Sequence, residues 1–172
     1  NQDPSGYVRV QTGKQGNNMA AKRLGFVGTG AITCAIVKGL DISGLKDWPI
    51  IVSPRSRERA EELATTVASV SVALDNQAVV DQSDIVFLAI RPQIAQDVVK
   101  SLRFRDGQTV ISLVAGMQAS AIAALTDCRV DIVRAIPTFP AQQAAALVFT
   151  SGSTGQPLAH TKSWGSLCMG AE

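Results

Sequence analysis

The chain has 172 residues, of which 46% are hydrophobic and 17% charged, so it can bury a core and is not disordered as a whole. Its 16 basic and 14 acidic residues leave a formal net charge of +2, which gives no reason to expect nucleic acid or a membrane as a partner. Three cysteines and one histidine lack the spacing of a zinc site or a disulfide framework, and no apolar run reaches the ~18 residues of a membrane span. We therefore expect a cytoplasmic protein without a metal site.

Composition divides the chain into three segments. Residues 1–18 are rich in Gln, Gly and Asn and contain no apolar stretch, so we expect a disordered leader ahead of Met19 rather than a signal peptide. Residues 19–137 alternate between apolar runs and helical stretches and are expected to form one domain. No such rhythm continues in residues 138–172, for which we expect an irregular tail.

The middle segment predicts a layered fold. Its apolar runs of strand length are Leu24–Val27, Ile50–Val52, Val70–Val72, Ile85–Ile90, Val110–Val114 and Ile132–Ile136. Helical stretches between them are Ala31–Leu40, Ser56–Val67, which opens with a capping serine, and Ile94–Leu102. Short apolar runs are typical of strands buried on both faces, and strand–helix–strand repetition indicates a parallel sheet. The predicted fold class is α/β, a Rossmann-like doubly wound parallel sheet with helices on both faces.

A glycine motif follows the first predicted strand and opens the first predicted helix. It reads Gly28-Thr29-Gly30-Ala31-Ile32-Thr33. Gly28 permits a tight turn, Gly30 lets backbone N–H groups approach a pyrophosphate, and the helix N-terminus adds unpaired donors. Thr33 stands where the full fingerprint has Gly or Ala, and we expect it to loosen the helix–strand packing slightly. In this context the motif predicts a dinucleotide site, with a plain glycine-rich turn as the alternative.

The end of the second predicted strand indicates which dinucleotide binds. An NAD site usually has a carboxylate there, which accepts a hydrogen bond from the ribose. This chain has Ser53-Pro54-Arg55-Ser56-Arg57 instead, and guanidinium and hydroxyl groups suit a 2′-phosphate. We therefore expect NADP, as NADPH, rather than NAD. Solvated arginines at the start of a helix are the alternative.

Two more strand ends are expected at the same edge of the sheet, where ligands bind in such folds. Arg91 follows the fourth predicted strand and is placed to meet cofactor phosphate or ribose, while Ala115 and Gly116 follow the fifth and would let nicotinamide or ribose pack on the backbone. Ordinary turns are the alternative for both. The cofactor-binding residues predicted so far are Val27, Gly28, Thr29, Gly30, Ala31, Ile32, Ser53, Arg55, Ser56, Ala89, Ile90, Arg91, Pro92, Ala115 and Gly116. No catalytic residue can be named.

Over about residues 22–137 the chain resembles the pyrroline-5-carboxylate reductase family. The matching segments are Gly25–Gly30, Ala35 through Leu40, Ser53 with Arg55, Asp75-Asn76, Ser83–Pro92, Ser112 through Gly116, and Val133–Pro137. The resemblance implies that Asn76 lies near the adenine ribose. It also implies hydride transfer from NADPH to the C=N bond of a small cyclic imine, giving proline. In that family the imine pocket and the dimer interface lie in a C-terminal helical domain.

Two single positions and one short stretch depart from the family pattern. Arg91 replaces a lysine beside the cofactor, Ala31 replaces an asparagine, and the family's Asn-Thr-Pro-Ala stretch reads Thr138-Phe139-Pro140-Ala141. These departures bear on substrate specificity. Because the family's helical domain does not follow here, we expect a truncated or chimeric chain with little reductase turnover, and its oligomeric state is left open.

The last segment is similar to a different family over about residues 141–172. Residues 146–157 resemble the phosphate-binding signature of acyl-adenylate-forming ligases, whose glycines and hydroxyls wrap ATP phosphates. A flexible Ser/Gly tail is the alternative. Two functions therefore remain open: an NADP-dependent imine reductase, and a non-catalytic dinucleotide-binding module or chimeric chain without turnover. An adenylating ligase is disfavoured because only its loop is present.

Overall fold

The computed structural model of the protein describes residues 21–43, 45–138, 145–149 and 159–163. The strands in these residues are β1 Leu24–Val27, β2 Ile50–Val52, β3 Val70–Val72, β4 Ile85–Leu88, β5 Thr109–Ser112, β6 Asp131–Thr138, β7 Ala145–Phe149 and β8 Ala159–Ser163. The helices are α1 Ala31–Asp41, α2 Arg57–Thr66, α3 Asn76–Asp81, α4 Pro92–Ser101 and α5 Ala119–Ala123.

All eight strands form one sheet in the order β3-β2-β1-β4-β5-β6-β7-β8. The strands from β3 to β6 in this order pair in parallel, which is the Rossmann arrangement and confirms the predicted fold class. The chain leaves β1 toward β2 on one side and returns at β4 on the other. The carboxyl end of β1 is therefore a topological switch point, the place where α/β sheets bind their ligands.

Successive side chains of a strand point to opposite faces of the sheet, and the core therefore has two layers. Phe26 and Phe87 face α1 and α2, and their rings stack with centroids 4.4 Å apart. Val27 and Leu88, the next residues in the two strands, face α3, α4 and α5 instead. All four residues have no exposed surface, as expected of parallel strands covered by helices on both faces. This packing fixes the positions of the strand ends that follow.

Some element boundaries differ from the sequence expectations. β4 and β5 end two residues early, and α4 begins at Pro92, since proline has the backbone angle of a first helical turn and needs no N–H there. Ser56 occupies the N-cap of α2, but its side chain makes no capping hydrogen bond, so the prediction of a capping serine is correct only in position.

Two helices were not predicted, because both are short. α3 has 6 residues and α5 has 5, too few for an apolar stripe to repeat. The start of α3 does have a local signal, since the Asp75 carboxylate accepts a hydrogen bond of 2.7 Å from the backbone N–H of Ala78.

The expected irregular tail differs from the observed backbone. β6 runs through Thr138, and β7 and β8 extend the sheet in antiparallel pairing. An apolar strand can satisfy the hydrogen-bonding groups on the free edge of β6, and this outweighs the loop-like composition between the strands. The predicted leader and residues 150–157 of the ligase-like segment lie outside the described residues. The domain boundary near residue 137 stays a prediction.

The approach of α3 to β1 generates a prediction for Gly25. A Cβ at Gly25 would overlap Ser83 Oγ and lie 2.8 Å from Val79 Cγ1, whereas a Cβ at Gly30 would meet nothing within 4 Å. Gly25→Ala should lower the free energy of unfolding by about 1–3 kcal/mol through overpacking. Urea unfolding of this variant beside Gly30→Ala measures the effect. Equal stability of the two variants would contradict the packing described for α3 and β1.

Candidate dinucleotide-binding site

The turn after β1 requires glycine at its first position. Gly28 has a φ of +101°, and a Cβ there would overlap the carbonyl oxygen of Ala89 in the strand end alongside. Its backbone N–H donates a hydrogen bond of 2.9 Å to Ser53 Oγ at the end of β2. Gly28 therefore lies where the ends of three neighbouring strands meet.

Thr33 holds this turn closed. Its side chain is fully buried, and its hydroxyl donates a hydrogen bond of 2.6 Å to the carbonyl oxygen of Gly28. This hydroxyl supplies a contact across the turn that glycine or alanine cannot make, and the expected loosening of the helix–strand packing stays a prediction.

The N-terminus of α1 is open. Gly30 is its N-cap, and no side chain of the described residues caps this end or adds an acidic group to the first turn. The first helical hydrogen bond runs from the N–H of Cys34 to the carbonyl of Gly30, so the N–H groups of Ala31, Ile32 and Thr33 precede it and have no partner within the helix. Together with the helix dipole, these groups can attract an anion.

Gly30 contributes space rather than an unusual backbone. Its φ of −93° and ψ of −173° suit any residue, and the region in front of its Cα is free of protein atoms within 4 Å of an added Cβ. A bulky group such as a pyrophosphate can therefore approach the backbone here. This arrangement matches the role that the sequence predicts for Gly30.

Ser53, a predicted cofactor-binding residue at the end of β2, points into the protein. Ser53 is fully buried, and its hydroxyl accepts from Gly28 and lies 3.2 Å from Thr29 Oγ1. Thr29 is also buried and donates a hydrogen bond of 2.6 Å to the Ser53 carbonyl. Both hydroxyls therefore contact the protein rather than the solvent, which sequence reasoning did not detect because it depends on how two distant turns meet.

The two arginines after β2 differ in their surroundings. Arg57 forms an exposed ion pair of 2.8 Å with Glu61, and the hydrogen bond and charge of Glu61 raise the pKa of Arg57 above its ordinary value. Arg55 is exposed and makes no hydrogen bond or ion pair with the described residues, and the half-buried Ser56 next to it has a hydroxyl unused by the helix. Arg55 is thus the guanidinium available to a ligand.

The ends of β4 and β5 contribute the other side of the site. Ala89 donates a hydrogen bond of 2.9 Å from its N–H to the Val27 carbonyl, which places Ala89 and Ile90 beside the glycine turn. Arg91 is the exposed N-cap of α4, with no ion pair to the described residues. Ala115 and Gly116 are exposed after β5, and a Cβ on Gly116 would meet nothing within 4 Å.

Asn76 lies at the far side of the same edge. It is the first residue of α3, after the carboxyl end of β3, and is half-buried. With strands about 4.8 Å apart, Asn76 and Gly116 lie to either side of the glycine turn. The fold therefore places the predicted residues at the carboxyl ends of the parallel strands, with the ends of β1, β2 and β4 at the centre.

Another cavity in the described residues lies away from this site. A cavity of about 150 Å³ lies at the opposite edge, lined by residues at the amino ends of the strands, among them Arg23, Pro49 and Gln82. Within the ranges that the structure covers, no helix is long and apolar enough to span a membrane. The same residues include no cluster of His, Cys, Asp or Glu able to hold a metal ion.

The Rossmann arrangement of the sheet and the uncapped N-terminus of α1 are those of a dinucleotide-binding domain. Residues 23–116 match the family described as NADP oxidoreductase, coenzyme F420-dependent, and the chain belongs to this family. The family description confirms NADP as the predicted class of cofactor.

Similar proteins confirm the resemblance over the N-terminal part. A pyrroline-5-carboxylate reductase of Vibrio alginolyticus is 30% identical over 126 residues, which are 72% of this chain and 46% of the relative. Pyrroline-5-carboxylate reductase 2 of Bacillus subtilis is 33% identical over 67% of this chain and 42% of its own length. The structure of a pyrroline-5-carboxylate reductase from Coxiella burnetii superposes with a TM-score of 0.67 and 25% identity, over 79% of this chain and 52% of that one. The chain thus spans about half the length of the proteins it matches.

The open space at Gly30 predicts the effect of a larger residue there. Gly30→Val should leave the domain folded, because a Cβ at this position has no protein atom within 4 Å. It should abolish NADPH binding, because the added side chain fills the approach to the α1 N-terminus. Circular dichroism checks folding and NADPH fluorescence checks binding. A folded variant that binds NADPH as tightly as the unchanged chain would show that the glycine motif is only a turn.

Proposed function

We propose that residues 22–137 bind NADPH and act as the cofactor domain of a reductase of the pyrroline-5-carboxylate type. The observation that carries the proposal is the uncapped N-terminus of α1 behind Gly30, with the unpaired Arg55 after the adjacent strand. The α1 N-terminus would attract a pyrophosphate, and Arg55 would attract a 2′-phosphate. The two groups occur together in NADP and are separated in it by one ribose.

The residues along the edge fit the parts of this cofactor. The N–H groups of Ala31 and Ile32 would hold the pyrophosphate, and Arg55 with Ser56 would hold the 2′-phosphate. Asn76 would lie near the adenine ribose. Further contacts to phosphate, ribose and nicotinamide are proposed for Val27, Gly28, Ala89, Ile90, Arg91, Pro92, Ala115 and Gly116. When bound, NADPH supplies a hydride, and this chain's residues position and orient it.

The proposed substrate is a small cyclic imine. The support is the identity of 30–33% to proteins named pyrroline-5-carboxylate reductase. Because the chain spans about half of those relatives, the C=N reduction is proposed for the whole reductase rather than for this domain alone. The resemblance of residues 146–157 to a ligase loop stays a prediction and does not enter this proposal.

We also propose that the protein acts in the cytoplasm. Cys34 and Cys128 are free, and burial together with the charges of Asp106 and Asp127 raises the pKa of Cys128. Free cysteines suit a reducing compartment, in which thiols persist.

Arg55 is expected to set the preference for NADPH over NADH. Arg55→Ala should weaken NADPH binding about tenfold or more and leave NADH binding nearly unchanged, because only NADPH carries the 2′-phosphate. Isothermal titration calorimetry with both cofactors measures this. The matched control is Arg103→Ala, another exposed arginine, which lies ahead of β5 at the opposite edge. Equal affinities for NADPH and NADH in the unchanged chain would contradict the proposal.

The imine reductase activity can be tested in a complete enzyme. Residues 22–137 would replace the corresponding domain of the Vibrio alginolyticus reductase, and NADPH oxidation would be followed with 1-pyrroline-5-carboxylate. We expect oxidation that depends on the imine and is lost in the same chimera with Gly30→Val. A chimera that binds NADPH but shows no imine-dependent oxidation would instead support a binding module without turnover.

A further inference from the structure

We propose that Ser53 is a positioning residue that joins the pyrophosphate turn and the 2′-phosphate segment into one hydrogen-bonded unit. Its hydroxyl accepts from the N–H of Gly28 at 2.9 Å, and its carbonyl accepts from Thr29 Oγ1 at 2.6 Å. The inference rests on the proposed NADPH site, because it concerns how the two halves of that site are held.

Burial decides that these groups act on each other rather than on the ligand. Ser53 has no exposed surface and Thr29 is 2% exposed. The N–H of Gly28 is already engaged by Ser53, so the donors left for a pyrophosphate are those at the start of α1. Ser53 and Thr29 therefore contribute to binding indirectly.

The sheet alone does not make this connection. Parallel pairing between β1 and β2 reaches Phe26 and Val52, and one more backbone bond of 3.0 Å joins the Ser53 N–H to the Phe26 carbonyl. Beyond that point the segments that follow β1 and β2 diverge. The first enters the glycine turn and the second enters the arginine segment. The side-chain hydroxyls of Ser53 and Thr29 connect these two segments.

This connection has a consequence for affinity. Thr29 directly precedes Gly30, and Ser53 lies two residues before Arg55. If the hydroxyl contacts are removed, each segment samples conformations that do not bind, and the apparent affinity falls in proportion to the competent fraction. A change in the glycine turn should therefore weaken a ligand that contacts only the arginine segment.

Adenosine 2′-phosphate is a suitable probe, since it carries the 2′-phosphate and no pyrophosphate. Thr29→Val replaces the hydroxyl by a methyl of similar size, and Thr29→Ser keeps the hydroxyl. We expect the dissociation constant of adenosine 2′-phosphate to rise about three- to tenfold in Thr29→Val, as for the loss of one hydrogen bond, and to stay unchanged in Thr29→Ser. Ser53→Ala should match Thr29→Val.

The control is Ser83→Ala, which removes another buried hydroxyl, one that donates 2.6 Å to the Val79 carbonyl ahead of β4. It should lower stability without changing the dissociation constant, so a general loss of stability is distinguished from loss of the connection. All variants are measured under conditions where circular dichroism shows them folded.

The outcomes separate the two proposals. If the unchanged chain does not bind adenosine 2′-phosphate, the proposed NADP site itself fails. If the unchanged chain binds it and folded Thr29→Val and Ser53→Ala bind it equally well, the connecting role of Ser53 is overturned while the site stands. If Ser83→Ala weakens binding as much as they do, the effect is one of stability and the inference is also overturned.

Discussion

The approach of the Gly28 backbone to the end of β4 determines the geometry of the rest of the site. With a φ of +101° and no side chain, Gly28 lies against the carbonyl of Ala89 and donates its N–H to Ser53. These contacts bring the ends of β1, β2 and β4 together and aim α1 so that its N-terminus faces the open edge. A side chain at Gly28 would separate the strand ends, and the anion site would lose the strands that flank it.

The site depends on backbone groups and on space more than on side chains. The unpaired N–H groups at the start of α1 form in any helix, but here no carboxylate or capping hydroxyl of the described residues occupies them. The free volume at Gly30 makes them accessible, and Arg55 and Arg91 add positive charge on either side without ion pairs to the described residues. Such an arrangement of donors and positive charges suits an extended, anionic ligand.

The sequence predicts the fold well, because the fold depends on local patterns, and the same patterns give the proposed location of the site. Apolar runs such as Leu24–Val27 and Val70–Val72 have the observed bounds, and the glycine motif lies at the switch point. What the sequence does not show is the direction of individual hydroxyls. Thr33 and Ser53 both turn into the protein, since their partners, the Gly28 carbonyl and the Gly28 N–H, are fixed only when the strand ends meet. The strands β7 and β8 were missed for a similar reason: a strand that extends a sheet edge is stabilised by its neighbour more than by its own composition.

A dinucleotide is expected to bind at the carboxyl ends of the strands around Gly28. Amide NMR of the ¹⁵N-labelled chain during titration with NADP tests this most directly, since backbone N–H groups are the proposed ligands. We expect the largest shifts at Gly30–Thr33, Arg55–Arg57 and Ala89–Arg91. Little change is expected at Arg23, Gln82 and Gly107, which lie near the amino ends of the strands. Shifts concentrated near the amino ends of the strands, or none at saturating NADP, would contradict this expectation.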